Sequence, residues 1–306
     1  RTFCELTAWA QPDKGYRLGL PAAPRRTLRS TPAGLGLPSG PDPDLFRIGE
    51  RMIKSYADTH PGMRRNGNED SFLLQPERGI YAVADGLGGL SYGEVASGMA
   101  AEMLGSADMQ AYEDLTGLVR GISVAIAKKG HELNSGTIGT TLTLAILDGG
   151  YARLAQVGDS LAYMVLPDGQ GIQLTREQTV AEEYRRAGRT DFDPYMEHVL
   201  TQCLGQDREV MPDVFVREFP VGARMLLCSD GITKTIEDAR IYEIVRTGSD
   251  PKSIVDTLIS TANANGGPDN STALVIFNEP DEAPIADEAF AHAELPAEAE
   301  SAAVPA

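Results

Sequence analysis

The sequence predicts an α+β fold in which antiparallel sheets are covered by helices. Its centre is a ladder of short strands joined by tight Gly/Asp turns, which pair neighbouring strands antiparallel. Strands arrive in runs and helices in pairs, without the strict strand–helix–strand alternation of a parallel sheet. A dinucleotide-binding fold is disfavoured, because no GxGxxG follows the first strand and opens a helix.

The elements follow in order. Residues 1–47 are rich in Pro, Gly and Arg, lack sustained periodicity and read as a disordered or loosely attached arm. Strands are expected at 71–75 and 79–84, the second an apolar run, GIYAVA, that stops at Asp85. Helical periodicity covers 93–106 and 115–133. The ladder then runs TTLTLAIL (140–147), the turn DGG, YARLAQV (151–157), the turn GDS, LAYMVL (161–166), the turn PDGQG and IQLT. A helix at 178–188, strands at 215–219 and 223–229, helices at 238–247 and 251–264, and a strand at 271–277 complete a domain spanning 48–278. From 279 to 306 the chain is Ala/Glu/Pro-rich, with eight acids and no Lys or Arg, and reads as a disordered acidic tail.

Composition limits the partners. A net charge of −17 over 306 residues argues against nucleic acid, whose phosphates are bound by basic surface. No apolar run approaches the roughly 18–20 residues that span a bilayer. Cys4, Cys203 and Cys228 are scattered and odd in number, which suggests neither a disulfide framework nor a CxxC metal site, and a reducing cytoplasm is the default setting. His60, His131, His198 and His292 form no ligand motif.

Chemistry gathers where strands end on acids. GIYAVADGL stops at Asp85, ARMLLCSDGI stops at Asp230, and GGPDNSTALVIF sets Asp269 just before a strand. AQVGDSLAYMV carries Asp159 in a hairpin turn, and RRNGNED places Glu69 and Asp70 ahead of another strand. Acids at strand ends can converge on one edge of a sheet, where carboxylates repel strongly unless protons or cations intervene. Oxygen ligands without His or Cys select hard cations such as Mg²⁺ or Mn²⁺. Gly86 lets the backbone approach closely, so its carbonyl can join the coordination. Singly, each Asp-Gly is an ordinary turn, and Asp148–Gly149 and Asp168–Gly169 are read as no more. Combination, order and spacing point to a metal.

The stretch 58–278 resembles the PPM (type 2C) family of metal-dependent protein serine/threonine phosphatases in its bacterial form. THPGMRRNGNEDSF (59–72), VADGLGGLSYGEVAS (83–97), GTTLTLAIL (139–147), QVGDSLAY (156–163), VLTQCLG (199–205), LLCSDGIT (226–233) and GGPDNSTALVI (266–276) carry the match, in family order. The resemblance implies a four-layer α-β-β-α sandwich of two antiparallel sheets flanked by helix pairs, with two Mn²⁺ or Mg²⁺ ions at one end. It implies that Asp85 bridges both metals, that the Gly86 carbonyl binds one, and that Asp230 and Asp269 complete the other. Glu69 and Asp70 would act through waters, Arg65 would grip the substrate phosphate, and Asp159 would help bind a weaker third metal. Residues about 179–197 take the place of the mobile flap.

The implied activity is hydrolysis of phosphoserine and phosphothreonine in proteins by a metal-activated water, reversing a bacterial Ser/Thr kinase, by a cytoplasmic monomer. Two alternatives share the fold. A pseudophosphatase that only binds phosphoproteins would lack core ligands, yet Asp85, Asp230 and Asp269 are all present. A phosphatase of anti-sigma-factor antagonists usually carries sensor domains, and none is visible. The chain departs from the family pattern at Leu87, where some members have histidine, and at Leu161, where arginine is usual. Further departures are Glu177–Gln178 in place of Asp-His and Lys234 in place of an acid. None is an expected ligand of the dinuclear centre.

Overall fold

Ile80, Ala82 and Ala84 leave strand Ile80–Asp85 on one face and join one buried cluster, while Tyr81 and Val83 leave on the other and join a second. Successive residues of a strand point to opposite faces, so this strand lies between two apolar layers. The protein, seen as a computed structural model, is described over residues 45–48, 51–87, 92–133, 135 and 137–281. Most of the proposed arm and nearly all of the proposed tail lie outside those residues.

Two antiparallel sheets form the centre. One contains β1 (Leu45–Ile48), β2 (Arg51–His60), β7 (Leu161–Val165), β8 (Gly171–Gln173), β10 (Arg224–Cys228) and β11 (Ser271–Pro280), in the order β1-β2-β11-β10-β7-β8. The other contains β3 (Asp70–Gln75), β4 (Ile80–Asp85), β5 (Leu142–Asp148), β6 (Tyr151–Val157) and β9 (Asp213–Glu218), in the order β3-β4-β5-β6-β9. Alternation in β10 and β11 sorts Met225, Leu227, Leu274 and Ile276 into the cluster shared with Tyr81 and Val83, and Leu226, Cys228, Val275 and Phe277 into a third. The shared cluster therefore lies between the sheets.

Helices close the outer layers. α1 (Gly93–Ser106) and α2 (Leu115–Glu132) pack on the five-stranded sheet through Ala96, Ala100, Leu104, Val119, Ile122 and Ile126. α5 (Asp238–Thr247) and α6 (Pro251–Ala264) cover the six-stranded sheet through Ile241, Ile244, Val255 and Leu258. α6 starts with a capping box, Asp250 accepting from Ser253 N while Ser253 Oγ accepts from Asp250 N, which satisfies two backbone donors at that end. The expected helix at 178–188 is the shorter α3 (Val180–Arg186), and a single turn, α4 (Asp230–Thr233), follows β10.

Two strands were not expected. β2 lies inside the sheet and pairs with β11 from His60 opposite Ser271 to Arg51 opposite Pro280. Its buried face is built from Ile53, Ser55 and Ala57, too small and polar a set to stand out as an apolar alternation. β1 pairs with β2 from Leu45 opposite Lys54, so the sheet starts inside the segment read as the arm and ends at Pro280, inside the segment read as the tail.

Candidate active site

Every candidate acid sits at an element boundary at the same end of the sandwich. Asp85 closes β4 and faces Asp70, the first residue of β3, as its direct cross-strand partner. Asp230 begins α4 immediately after β10, Asp269 precedes β11, and Asp159 occupies the turn between β6 and β7. Arg65 and Glu69 lie on the loop from β2 to β3. Asp85 feels the charges of Asp70, Asp230, Asp159 and Asp269 together, which brings all five carboxylates into one neighbourhood.

Glycine makes this approach possible. A Cβ on Gly86 would lie 2.4 Å from the carbonyl oxygen of Gly93 and 2.5 Å from that of Glu69. A Cβ on Gly231 would lie 1.9 Å from the carbonyl oxygen of Asn270. These residues stack the backbone behind Asp85 on the Glu69 segment, and the backbone behind Asp230 on the Asp269 segment.

A set of polar side chains holds the acids. Asp70 Oδ2 accepts from Ser229 Oγ at 2.7 Å and Thr272 Oγ1 at 2.6 Å. Asn270 Oδ1 accepts from Glu69 N at 2.8 Å, and its Nδ2 donates to the carbonyls of Pro61 and Gly67, tying the β2–β3 loop to the start of β11. The turn holding Asp159 is fixed by a hydrogen bond between the hydroxyls of Thr141 and Ser160 and by Gln178 Oε1 accepting from Gly158 N. Sequence reasoning singled out none of Asn270, Ser229 and Thr272 as functional, because an Asn or a hydroxyl beside an acid reads locally as turn chemistry.

The electrostatics show what the cluster costs without a cation. Burial, then the charges of Asp70, Asp230, Asp159 and Asp269, push the Asp85 carboxyl well above the usual carboxylate range. Burial raises Asp70 to about 7 against the opposing hydroxyls of Thr272 and Ser229. Burial and Asp230 raise Asp159 to about 6, with Lys234 opposing. Glu69 is raised by burial and Glu94, with Arg65 opposing. Half-buried Glu177 rises to about 7 through burial and the neighbouring Asp159.

A hard divalent cation fits this set. Oδ1 of Asp70 and Oδ1 of Asp230 are buried and meet no donor, and every side-chain donor atom on offer is oxygen. Among the described residues no group of three or more Asp, Glu, His or Cys side chains is placed to hold a metal ion by itself. Two cationic side chains take acids of the cluster: Arg65 Nη2 donates to Asp269 Oδ2 at 2.8 Å, and Lys234 pairs with Asp230 and Asp159.

The protein phosphatase 2C family matches residues 64–275. This chain belongs to that family. The serine/threonine phosphatase Stp of Listeria innocua is 34% identical over 237 residues, which cover 71% of this chain and 93% of that protein. The serine/threonine protein phosphatase PstP of Mycobacterium tuberculosis is 32% identical over 233 residues, 73% of this chain and 45% of that protein. The solved catalytic domain of PstP in complex with two manganese ions superposes with a TM-score of 0.66 at 31% identity, covering 74% of this chain and 98% of that one.

As a 2C-family chain it shows what its departures do. Leu161 is buried opposite Cys228 in the core beneath α5 and α6. Gln178 is buried and spans Gly158, Gln156 and Asp213, a structural tie around the Asp159 turn. Beside Glu177, the segment 179–197 folds back on itself: Val180 N donates to the carbonyl of Val199, Arg185 pairs with Glu197, and Tyr184 meets Phe192 edge-on. No helix among the described residues is long and apolar enough to cross a membrane.

Proposed function

We propose that this chain hydrolyses phosphoserine and phosphothreonine in proteins, with Asp85, the Gly86 carbonyl, Asp230 and Asp269 holding two Mn²⁺ or Mg²⁺ ions. The observation that carries this is the convergence of buried carboxylates, two with undonated oxygens, beside an exposed arginine. When bound, such ions acidify a water to supply the nucleophile and neutralise phosphoryl charge.

The chain's own residues supply the rest. The Arg65 side chain is 42% exposed, and its planar guanidinium can grip two phosphate oxygens by charge-assisted hydrogen bonds. Asp269, its partner in the ion pair, keeps it beside the acid cluster. Glu69 and Asp70 would act through waters once the ions are bound, Asp70 being fixed by Ser229 and Thr272. Apolar Leu87 cannot donate a proton to the leaving group, so that proton must come from another group. The segment 179–197 forms a flap beside the site that contributes to substrate choice.

The reading extends to biology. Substrates are phosphoproteins modified by a cognate bacterial Ser/Thr kinase, and the enzyme is a cytoplasmic monomer, in keeping with the scattered cysteines of its sequence. The position expected for a third, weaker cation at Asp159 meets a side chain of the chain itself, Lys234.

The decisive test is hydrolysis of p-nitrophenyl phosphate and a phosphothreonine peptide with Mn²⁺ and with EDTA. Turnover should depend on metal, and full activity of metal-stripped protein would refute the proposal. A phosphoproteome comparison with a deletion strain then reads the substrates.

A further inference from the structure

Lys234 stands where the family pattern often has an acid, and its position is built. Asp230 opens α4, and Lys234 caps its other end four residues on, so both side chains lie along one face of the same turn. The ammonium pairs with Asp230 Oδ2 and reaches Asp159 Oδ2 at 3.4 Å. Those carboxylates lie far apart in the chain, one in the β6–β7 connection between the two sheets and one at the start of α4, and only 5% of Asp159 and 9% of Asp230 is exposed. The Lys234 side chain is itself only 28% exposed. The turn that carries Asp159 is fixed on either side of it by the Thr141–Ser160 hydroxyl pair and by Gln178 accepting from Gly158 N.

We propose that the Lys234 ammonium is a tethered cation occupying the position of a third metal between Asp159 and Asp230. This rests on the phosphatase reading above. An ammonium is a compact point charge with three donors, enough to bridge two carboxylates. A divalent ion placed between the same oxygens would face that fixed positive charge at contact distance, with the acceptor atoms already engaged. The dinuclear centre is left intact, because Asp230 keeps its other oxygen, Oδ1, undonated. The lysine therefore supplies permanently, as one charge, what a weakly held ion supplies only at high metal concentration.

The test counts bound ions directly. Mn²⁺ is titrated into the metal-stripped full chain, with free Mn²⁺ followed by electron paramagnetic resonance up to several millimolar. Wild type should saturate at two ions. Lys234→Met should bind a third, weaker ion, and Lys234→Met combined with Asp159→Asn should return to two. Lys234→Arg, which retains a cation there, should stay at two. In parallel, Lys234→Met should lose at least tenfold in turnover at low Mn²⁺ and regain it as Mn²⁺ is raised. Three ions on wild type, or two on Lys234→Met, would overturn the proposal. Wild type binding no metal and hydrolysing no phosphoester would instead overturn the phosphatase reading, and this inference with it.

Discussion

Arg65 Nη2 donates to Asp269 Oδ2 at 2.8 Å, joining the loop after β2 to the residue that precedes β11. A side chain proposed to bind phosphate is thus held by one proposed to bind metal, and the two functions share a hinge. Replacing Arg65 by Ala should raise KM for phosphosubstrates by roughly tenfold or more, the scale of losing hydrogen bonds to a charged group. Lys should restore little of it, since an ammonium cannot make the paired grip. Arg64 is its exposed neighbour, and Arg64→Ala should change KM little. Steady-state kinetics separate the two, and sensitivity at Arg64 instead would shift the motif by one residue.

Asp85→Asn and Asp230→Asn should separate activity from stability. Turnover should fall roughly a hundredfold or more, the scale of losing one electrostatic contribution to the transition state. Asp85→Asn also removes a buried charge facing four like charges, so the metal-free variant should melt above metal-free wild type. Melting curves in EDTA check this. A lower melting temperature in the variant would show that the carboxylate is compensated in some other way.

Stability should depend on pH with a definite sign. Asp70, Asp159 and Asp85 all have carboxyls raised above the usual range of about 4, the first two to about 7 and about 6. The folded chain therefore holds their protons more tightly than the unfolded one. Their contribution is fully present below about pH 4 and is lost as pH rises through about 6 to 7. Bound Mn²⁺ keeps the same acids ionised, so its stabilising effect should grow across that window. Thermal melts at pH 5, 6, 7 and 8, with and without Mn²⁺, measure it. An equal shift at pH 5 and pH 8 would contradict the cluster as the metal site.

Gly231→Ala should be costly out of proportion to one methyl group. The added carbon would meet the Asn270 carbonyl at 1.9 Å, so the segments carrying Asp230 and Asp269 must separate. Both melting temperature and metal affinity should drop. Gly67→Ala, where no atom lies within 4 Å, is the matched control and should be mild in both assays.

The elements and the chemistry-bearing residues were legible in the sequence because their signals are local. Apolar periodicity marked α1 and α2, Gly/Asp turns marked the β5–β6 and β7–β8 hairpins, and an acid at the end of an apolar run marked Asp85 and Asp230. The expected hairpin turn at Asp159 proves instead to be a crossover from one sheet to the other. Most of the motif acids could be chosen for their oxygen chemistry without knowing where they meet. Only the tertiary structure decided that they do meet. Strand partners and side-chain directions are set between residues far apart in the chain, and a slip of one position turns every side chain to the other face. The register that puts Asp70 opposite Asp85, and the pairing of 51–60 with 271–280 that makes a strand of a weakly apolar segment, are of that kind. So are the reach of Asn270 across to Glu69 and the aim of Lys234 at Asp159, which depend on which loops a folded sheet edge brings side by side.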